Sequence, residues 1–191
     1  MLQSAVFLDR DDTINKDPGY LSDVNKVELL PGVGEGISFL KNKLNLKIIV
    51  ISNQSGITRG FLTESDVDAV NSKIQELLKT FDVEIDDFFF CPYHPDFDPP
   101  EKVECRKPSP KMIFEAAEKH SINLKRSFTI GDKETDILCG KNAGTETILV
   151  LNGKNAEEII NLKNGEFYPN FVADNFLHAC EYISSKIGDF N

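Results

Sequence analysis

Apolar residues in this chain fall into short continuous runs separated by stretches where they recur every three or four positions. The runs predict strands buried on both faces, near residues 4–9, 47–51, 86–90, 127–131, 146–151 and 171–173. The stretches between them predict helices. Pro31 opens one that carries Val33, Ile37 and Leu40 on a single face, and a longer one runs from Thr63 to about Phe81. In the latter, Thr63 and Asp66 form a capping-box pattern, and Val67, Val70, Ile74, Leu77 and Leu78 make a core-facing stripe. Further helices are expected after Ser109, Glu134, Asn155 and Asp174, with Ser109 as N-cap and Pro110 at the first helical position. Such regular alternation predicts an α/β fold: a three-layer, doubly wound parallel sheet.

Length and charge narrow the picture. With 191 residues, 40% of them hydrophobic, and no repeat, linker or low-complexity tract, the expectation is one domain over 1–191 without a large cap. A formal charge of -10 disfavours nucleic acid and other polyanionic partners. No run approaches the eighteen apolar residues of a membrane span, and the first strand is too short for a signal peptide. Four cysteines are unremarkable, so a reducing cytoplasm is expected; the chain is also expected to be a monomer.

Chemistry concentrates where strands end. Asp9 and Asp11 are two apart at the end of the first run, so they can converge where open α/β sheets bind ligands. Two adjacent carboxylates call for a divalent cation with oxygen ligands, Mg²⁺ above others; the plainer reading is an Asx-rich turn. After the second run come Ser52, Asn53, Gln54, Ser55 and Gly56, small hydrogen-bonding groups that suit phosphate oxygens. Arg106 and Lys107 precede a helix start, a setting that favours an anion. Asp132 ends the fourth run and Asp136 lies one helical turn beyond.

These four segments, in this order, resemble the haloacid dehalogenase superfamily of phosphotransferases over nearly the whole chain. Asp9-Arg10-Asp11, Ser52 to Gly60, Arg106-Lys107-Pro108 and Gly131-Asp132-Lys133 are similar to its heptose-bisphosphate and histidinol-phosphate phosphatase branch. The resemblance implies a Rossmann-like fold and an Mg²⁺-dependent phosphatase working through an aspartyl-phosphate. In it Asp9 is the nucleophile and Asp11 the acid and base, with a pKa that its charged neighbour should raise. Ser52 and Lys107 would hold the phosphoryl oxygens. The metal would sit between Asp9, the backbone carbonyl of Asp11, and Asp132, with Asp136 orienting Lys133 or a metal-bound water.

For substrate, the resemblance implies a small phosphorylated sugar. The segment Asp17-Pro18-Gly19-Tyr20 resembles the branch's substrate-contacting flap, and Asn53, Gln54 and Ser55 lie beside it in the expected site. Arg59, Arg106 and Lys133 are surplus cations that suit a second phosphate, or else are solvated charges. The stretch from Ser55 to Phe61 is closer to the heptose side, favouring D-glycero-D-manno-heptose 1,7-bisphosphate, with histidinol phosphate or another small phosphomonoester as alternative. A different class, a phosphate-binding relic, stays open; receiver domains lack the Asp-X-Asp pair on the first strand.

Two departures from the branch stand out. Its structural zinc uses a Cys-X-His pair followed by a Cys-X-Cys pair, and here only Cys91 and Cys105 match. Tyr93 and Val103 occupy the other two positions, and His94 is displaced by one. At most three ligands remain of the four that tetrahedral zinc requires, so zinc is not expected. Cys91 and Cys105 are read as neighbouring reduced thiols, able to pair where the environment oxidises. Asp12 replaces a usual glycine, tolerable at positive φ, but its added charge raises the question of weakened phosphate capture.

Overall fold

The computed structural model describes residues 2–154 and 168–188. Six parallel strands form one sheet: β1 Ala5–Leu8, β2 Lys47–Asn53, β3 Asp87–Cys91, β4 Phe128–Gly131, β5 Glu146–Val150 and β6 Phe171–Ala173. Their order is β3-β2-β1-β4-β5-β6, so the chain reverses direction across the sheet between β1 and β4. That reversal opens the crevice in which doubly wound sheets bind ligands.

β1 is apolar at every position because helices cover both its faces. Val6 and Leu8 pack with Ile48, Val50, Phe128 and Ile130 against α1 (Val33–Ser38), α2 (Glu64–Leu78) and α6 (Phe176–Gly188). Ala5 and Phe7 pack with Ile49 and Ile51 against Met112, Ile113 and Ala116 of α4 (Lys111–His120) and Cys139 of α5 (Glu134–Ala143). A short α3, Pro100–Val103, lies between β3 and α4. Pro100 stands at its first position, which a missing N–H permits.

The capping box of α2 is formed: Thr63 and Asp66 each bond the other's backbone N–H. The start of α4 corrects the sequence reading. Pro110, not Ser109, holds the cap position, and helical residues begin at Lys111. α1 likewise begins at Val33, two residues after Pro31. The helix expected after Asn155 lies outside the described residues.

Candidate active site

Asp9 leaves β1 with its backbone still in the ladder, donating to Ile130 O on β4 at 2.9 Å. This places its carboxylate at the β1/β4 crevice. There Lys107 reaches it: the ammonium donates to Asp9 Oδ1 at 2.6 Å and to Ile51 O at 2.8 Å, and pairs with Asp136 Oδ1 at 2.6 Å. All three donors of Lys107 are therefore used. Burial opposes its charge, but the flanking carboxylates of Asp136 and Asp9 raise its pKa and keep it cationic.

Asp136 makes a contact that the sequence did not signal. Its side chain pairs with Lys107 rather than with the Lys133 side chain, while its Oδ2 accepts from the Lys133 backbone N–H. The approach is close: a Cβ at Gly131 would stand 2.3 Å from Asp136 Cβ, so glycine is required there. Burial, and then the charge of Asp9, raise the Asp136 pKa against the pull of Lys107.

Asp9, Asp132 and Asp136 are all buried, and each offers an oxygen within 4.8 Å of the others'. Three ammonium groups pair with this trio: Lys107, Lys154 at 2.5 Å from Asp132 Oδ2, and Lys133 at 3.8 Å from Asp132 Oδ1. Three carboxylates thus face three cations, of which Lys133 is the most distant. The remaining Asp132 oxygen, Oδ1, is buried without a hydrogen-bond partner. Three converging carboxylate oxygens, with Asp132 Oδ1 lacking a hydrogen bond, fit a hard divalent cation.

The Asp11 side chain stands apart from this trio. Its carboxylate is gripped by Arg10, from Nε at 3.1 Å and Nη2 at 3.0 Å, by Gln54 Nε2 at 2.7 Å and by Asn15 Nδ2 at 3.2 Å. Burial raises its pKa, but Arg10 and the hydrogen bonds outweigh burial and hold it below the usual carboxylate range. The expected upward shift is therefore corrected. Arg10 itself is buried and anchored on Asn71 of α2 at 3.2 Å. Sequence reasoning gave it no role; its position between two aspartates at the end of an apolar strand was the available signal.

A cavity of about 420 Å³ opens over these groups. Of the residues expected in the site, Asp9, Asp11, Asp17, Gly19, Tyr20, Asn53, Gln54, Ser55, Arg106, Lys107 and Lys133 line it. Ser52 lies beneath, buried, accepting from Gln54 Nε2 at 2.5 Å. Asn53 spends its amide on the Lys107 backbone, donating to O and accepting from N–H, so it fixes the Lys107 segment. Arg59 sits outside the lining, bonded to Tyr20 Oη at 3.1 Å and paired with His94 Nε2 at 2.9 Å. Arg106 donates to Tyr93 O at 3.2 Å. Neither arginine meets a carboxylate at ion-pair distance among the described residues. Burial, and then the charge of Arg59, lower the Arg106 pKa.

Asp12 has φ of 61°, the left-handed region anticipated for it. Its Oδ1 accepts from Asp17 N–H, its carbonyl from Asn152 Nδ2 at 2.7 Å, and Lys154 lies 3.9 Å from Oδ2. The extra charge is thus locally engaged. Lys154 and Asn152, on the turn after β5, went unread because no motif marks them. Cys91 and Cys105 are joined in a disulfide, Cα atoms 5.5 Å apart; of the two states read for these neighbouring cysteines, reduced or paired, the structure has the paired one. Cys91 ends β3 and Cys105 adjoins Arg106, so the loop between them returns to its own start.

A family model described as HAD-hydrolase-like matches residues 104–179. A D-glycero-D-manno-heptose-1,7-bisphosphate 7-phosphatase of Chlorobaculum tepidum is 38% identical over 184 residues, 92% of this chain and 91% of that protein. The D-glycero-beta-D-manno-heptose-1,7-bisphosphate 7-phosphatase of Helicobacter pylori strain J99 is 43% identical over 77% of this chain and 82% of its own. Among solved structures, the D,D-heptose 1,7-bisphosphate phosphatase of B. bronchiseptica, complexed with magnesium and phosphate, superposes with a TM-score of 0.82 at 25% identity. That match covers 96% of this chain and 99% of the other.

Proposed function

We infer that this chain, which belongs to the heptose-bisphosphate phosphatase branch of the haloacid dehalogenase-like hydrolases, removes one phosphoryl group from a sugar bisphosphate. The substrate the reading favours is D-glycero-D-manno-heptose 1,7-bisphosphate, on which the relatives' names agree. One observation carries the chemistry: a buried carboxylate at a strand end, Asp9, is held by Lys107 beside the orphaned oxygen of Asp132. Asp9, Asp132 and Asp136 are the side chains that would hold Mg²⁺, the ion named with the B. bronchiseptica protein; Asp11 would add only its backbone carbonyl. When bound, the ion would offset the mutual repulsion of these carboxylates and the charge on the phosphoryl oxygens.

Each protein group then has a definable task. Asp9 attacks phosphorus, forming an aspartyl-phosphate and releasing the sugar alkoxide. Asp11 gives the alkoxide its proton and later takes one from the water that cleaves the acyl-phosphate. Four donors hold the Asp11 carboxylate ionised, so it acts as the acid only after Arg10 lets go and it has taken up a proton. Lys107 likewise meets a phosphoryl oxygen by releasing one of its three present partners. Ser52, Gln54 and Ser55 supply hydrogen bonds at the floor of the site, with Asn53 holding Lys107 in place. Arg59, Arg106 and Lys133 supply positive charge for the second phosphate, while Asp17, Gly19 and Tyr20 border the sugar.

A phosphate-release screen over heptose 1,7-bisphosphate, histidinol phosphate and simple phosphomonoesters decides the reading. Turnover of the bisphosphate should exceed the others, vanish in EDTA and return with Mg²⁺. Preference for histidinol phosphate would reassign the substrate. No turnover of any phosphomonoester at any Mg²⁺ concentration would make the chain a phosphate-binding relic.

A further inference from the structure

At the mouth of the cavity the turn at 17–20 faces the loop at 55–61, and two aromatic rings meet between them. Tyr20 and Phe61 stack with centroids 4.7 Å apart and planes inclined by 27°. Both remain exposed, Phe61 at 61%. Paired rings kept wet at the rim of a site are an apolar surface held for contact with something else. Tyr20 lines the cavity and Phe61 does not, so Phe61 acts through its neighbour.

Tyr20 is also held in an unfavourable backbone state. Its φ is 51°, a region that bulky side chains rarely occupy, and such strain persists only where the surroundings over-determine it. Here one loop supplies those surroundings. Gly56 lies so close beneath the ring that a Cβ there would stand 2.6 Å from Tyr20 Cδ1. Arg59 binds the phenol oxygen at 3.1 Å, and Phe61 covers one ring face. Floor, polar anchor and side support come from positions 56, 59 and 61.

We propose that Phe61 is a positioning residue that determines specificity: stacked on Tyr20, it holds that ring as a wall against which a cyclic sugar phosphate packs. An acyclic phosphate too small to reach the wall gains nothing from it. This role rests on the sugar-phosphate reading above, and its test is chosen to fail separately from that reading.

The chain contains no tryptophan, so Phe61→Trp places a single fluorophore on Tyr20. In an Asp9→Asn background, which prevents turnover, its emission should change saturably with heptose 1,7-bisphosphate or glucose 6-phosphate and stay constant with acetyl phosphate. In the active enzyme, Phe61→Ala should raise KM for a hydrolysed sugar phosphate about tenfold with kcat within about twofold, leaving acetyl phosphate unaffected; the aromatic contact sets that scale. Phe61→Tyr should restore the KM, and Phe61→Ala should add nothing once Tyr20→Ala is present. Equal effects on sugar and acetyl phosphates, additive losses in the double variant, or emission that ignores sugar phosphates would each overturn the role of Phe61. Failure of the heptose reading looks different: wild-type enzyme would then leave heptose 1,7-bisphosphate intact, and glucose 6-phosphate in the fluorescence titration would still decide the role of Phe61.

Discussion

The inner and outer halves of this site are built on opposite electrostatic plans. Inside, Asp9, Lys107, Asp132 and Asp136 are buried and cross-paired, with every Lys107 donor taken. Outside, Arg59 and Arg106 lie at the cavity mouth without a carboxylate at ion-pair distance among the described residues, and burial, then the charge of Arg59, lower the Arg106 pKa. Buried charges survive only when paired, so the inner set is fixed by the fold itself. Like charges left facing each other near the surface are relieved by an anion. On the proposed function, this contrast puts bond breaking in the interior and substrate choice at the rim.

The sharpest way to break that division is Asp9→Asn. An amide cannot form the acyl-phosphate, so turnover of every phosphomonoester should fall by about 10³-fold or more with folding intact. Phosphate release from protein shown by mass spectrometry to be undeamidated measures it. A folded variant retaining a tenth of wild-type activity would remove Asp9 from the chemistry.

Lys107→Ala comes next, because it should injure both stability and rate. It leaves Asp9 and Asp136 buried without their shared cation, a loss of about 3–5 kcal/mol in denaturant titration. Any folded fraction should lose about 10²-fold or more in kcat on bisphosphate and monophosphate alike. Unchanged stability would mean that the two carboxylates find other partners.

Arg106→Ala should act on the rim alone. If it grips the phosphate that does not react, kcat/KM for the bisphosphate should fall by roughly 10²-fold, since a charge-assisted contact contributes about 1.5–3 kcal/mol. A small monophosphate should be hydrolysed almost as before. Equal losses on both substrates would move Arg106 to the reacting phosphate and blur the division.

The smallest effect is expected at Asn53. Asn53→Ala removes two hydrogen bonds to the Lys107 backbone and should lower stability by about 1–3 kcal/mol, with kcat reduced less than in Lys107→Ala. Comparing the two variants separates holding Lys107 from being Lys107. A kcat loss as large as that of Lys107→Ala would give Asn53 a direct contact with substrate.

The layers of this fold follow from local pattern. A strand such as β1, apolar at all four positions, can only lie between two covered faces, and the α2 stripe can only face a core. The Asp9/Asp11 spacing was legible for the same reason: a period of two and a strand end are local facts. What pairs with what was not legible, because each partner comes from a different crossover of the chain. Lys107 and Asp9 are 98 residues apart, Lys154 and Asp132 are 22 apart, and Arg10 meets Asn71 across 61. Asp11 shows the consequence most clearly. Beside Asp9 in sequence it reads as a carboxylate of raised pKa, yet Arg10, Gln54 and Asn15 converge on it in space and lower that pKa. Sequence spacing determined which charges reach the crevice; only the folded arrangement decided which of them neutralise one another, since electrostatic energy depends on distance in space and on burial.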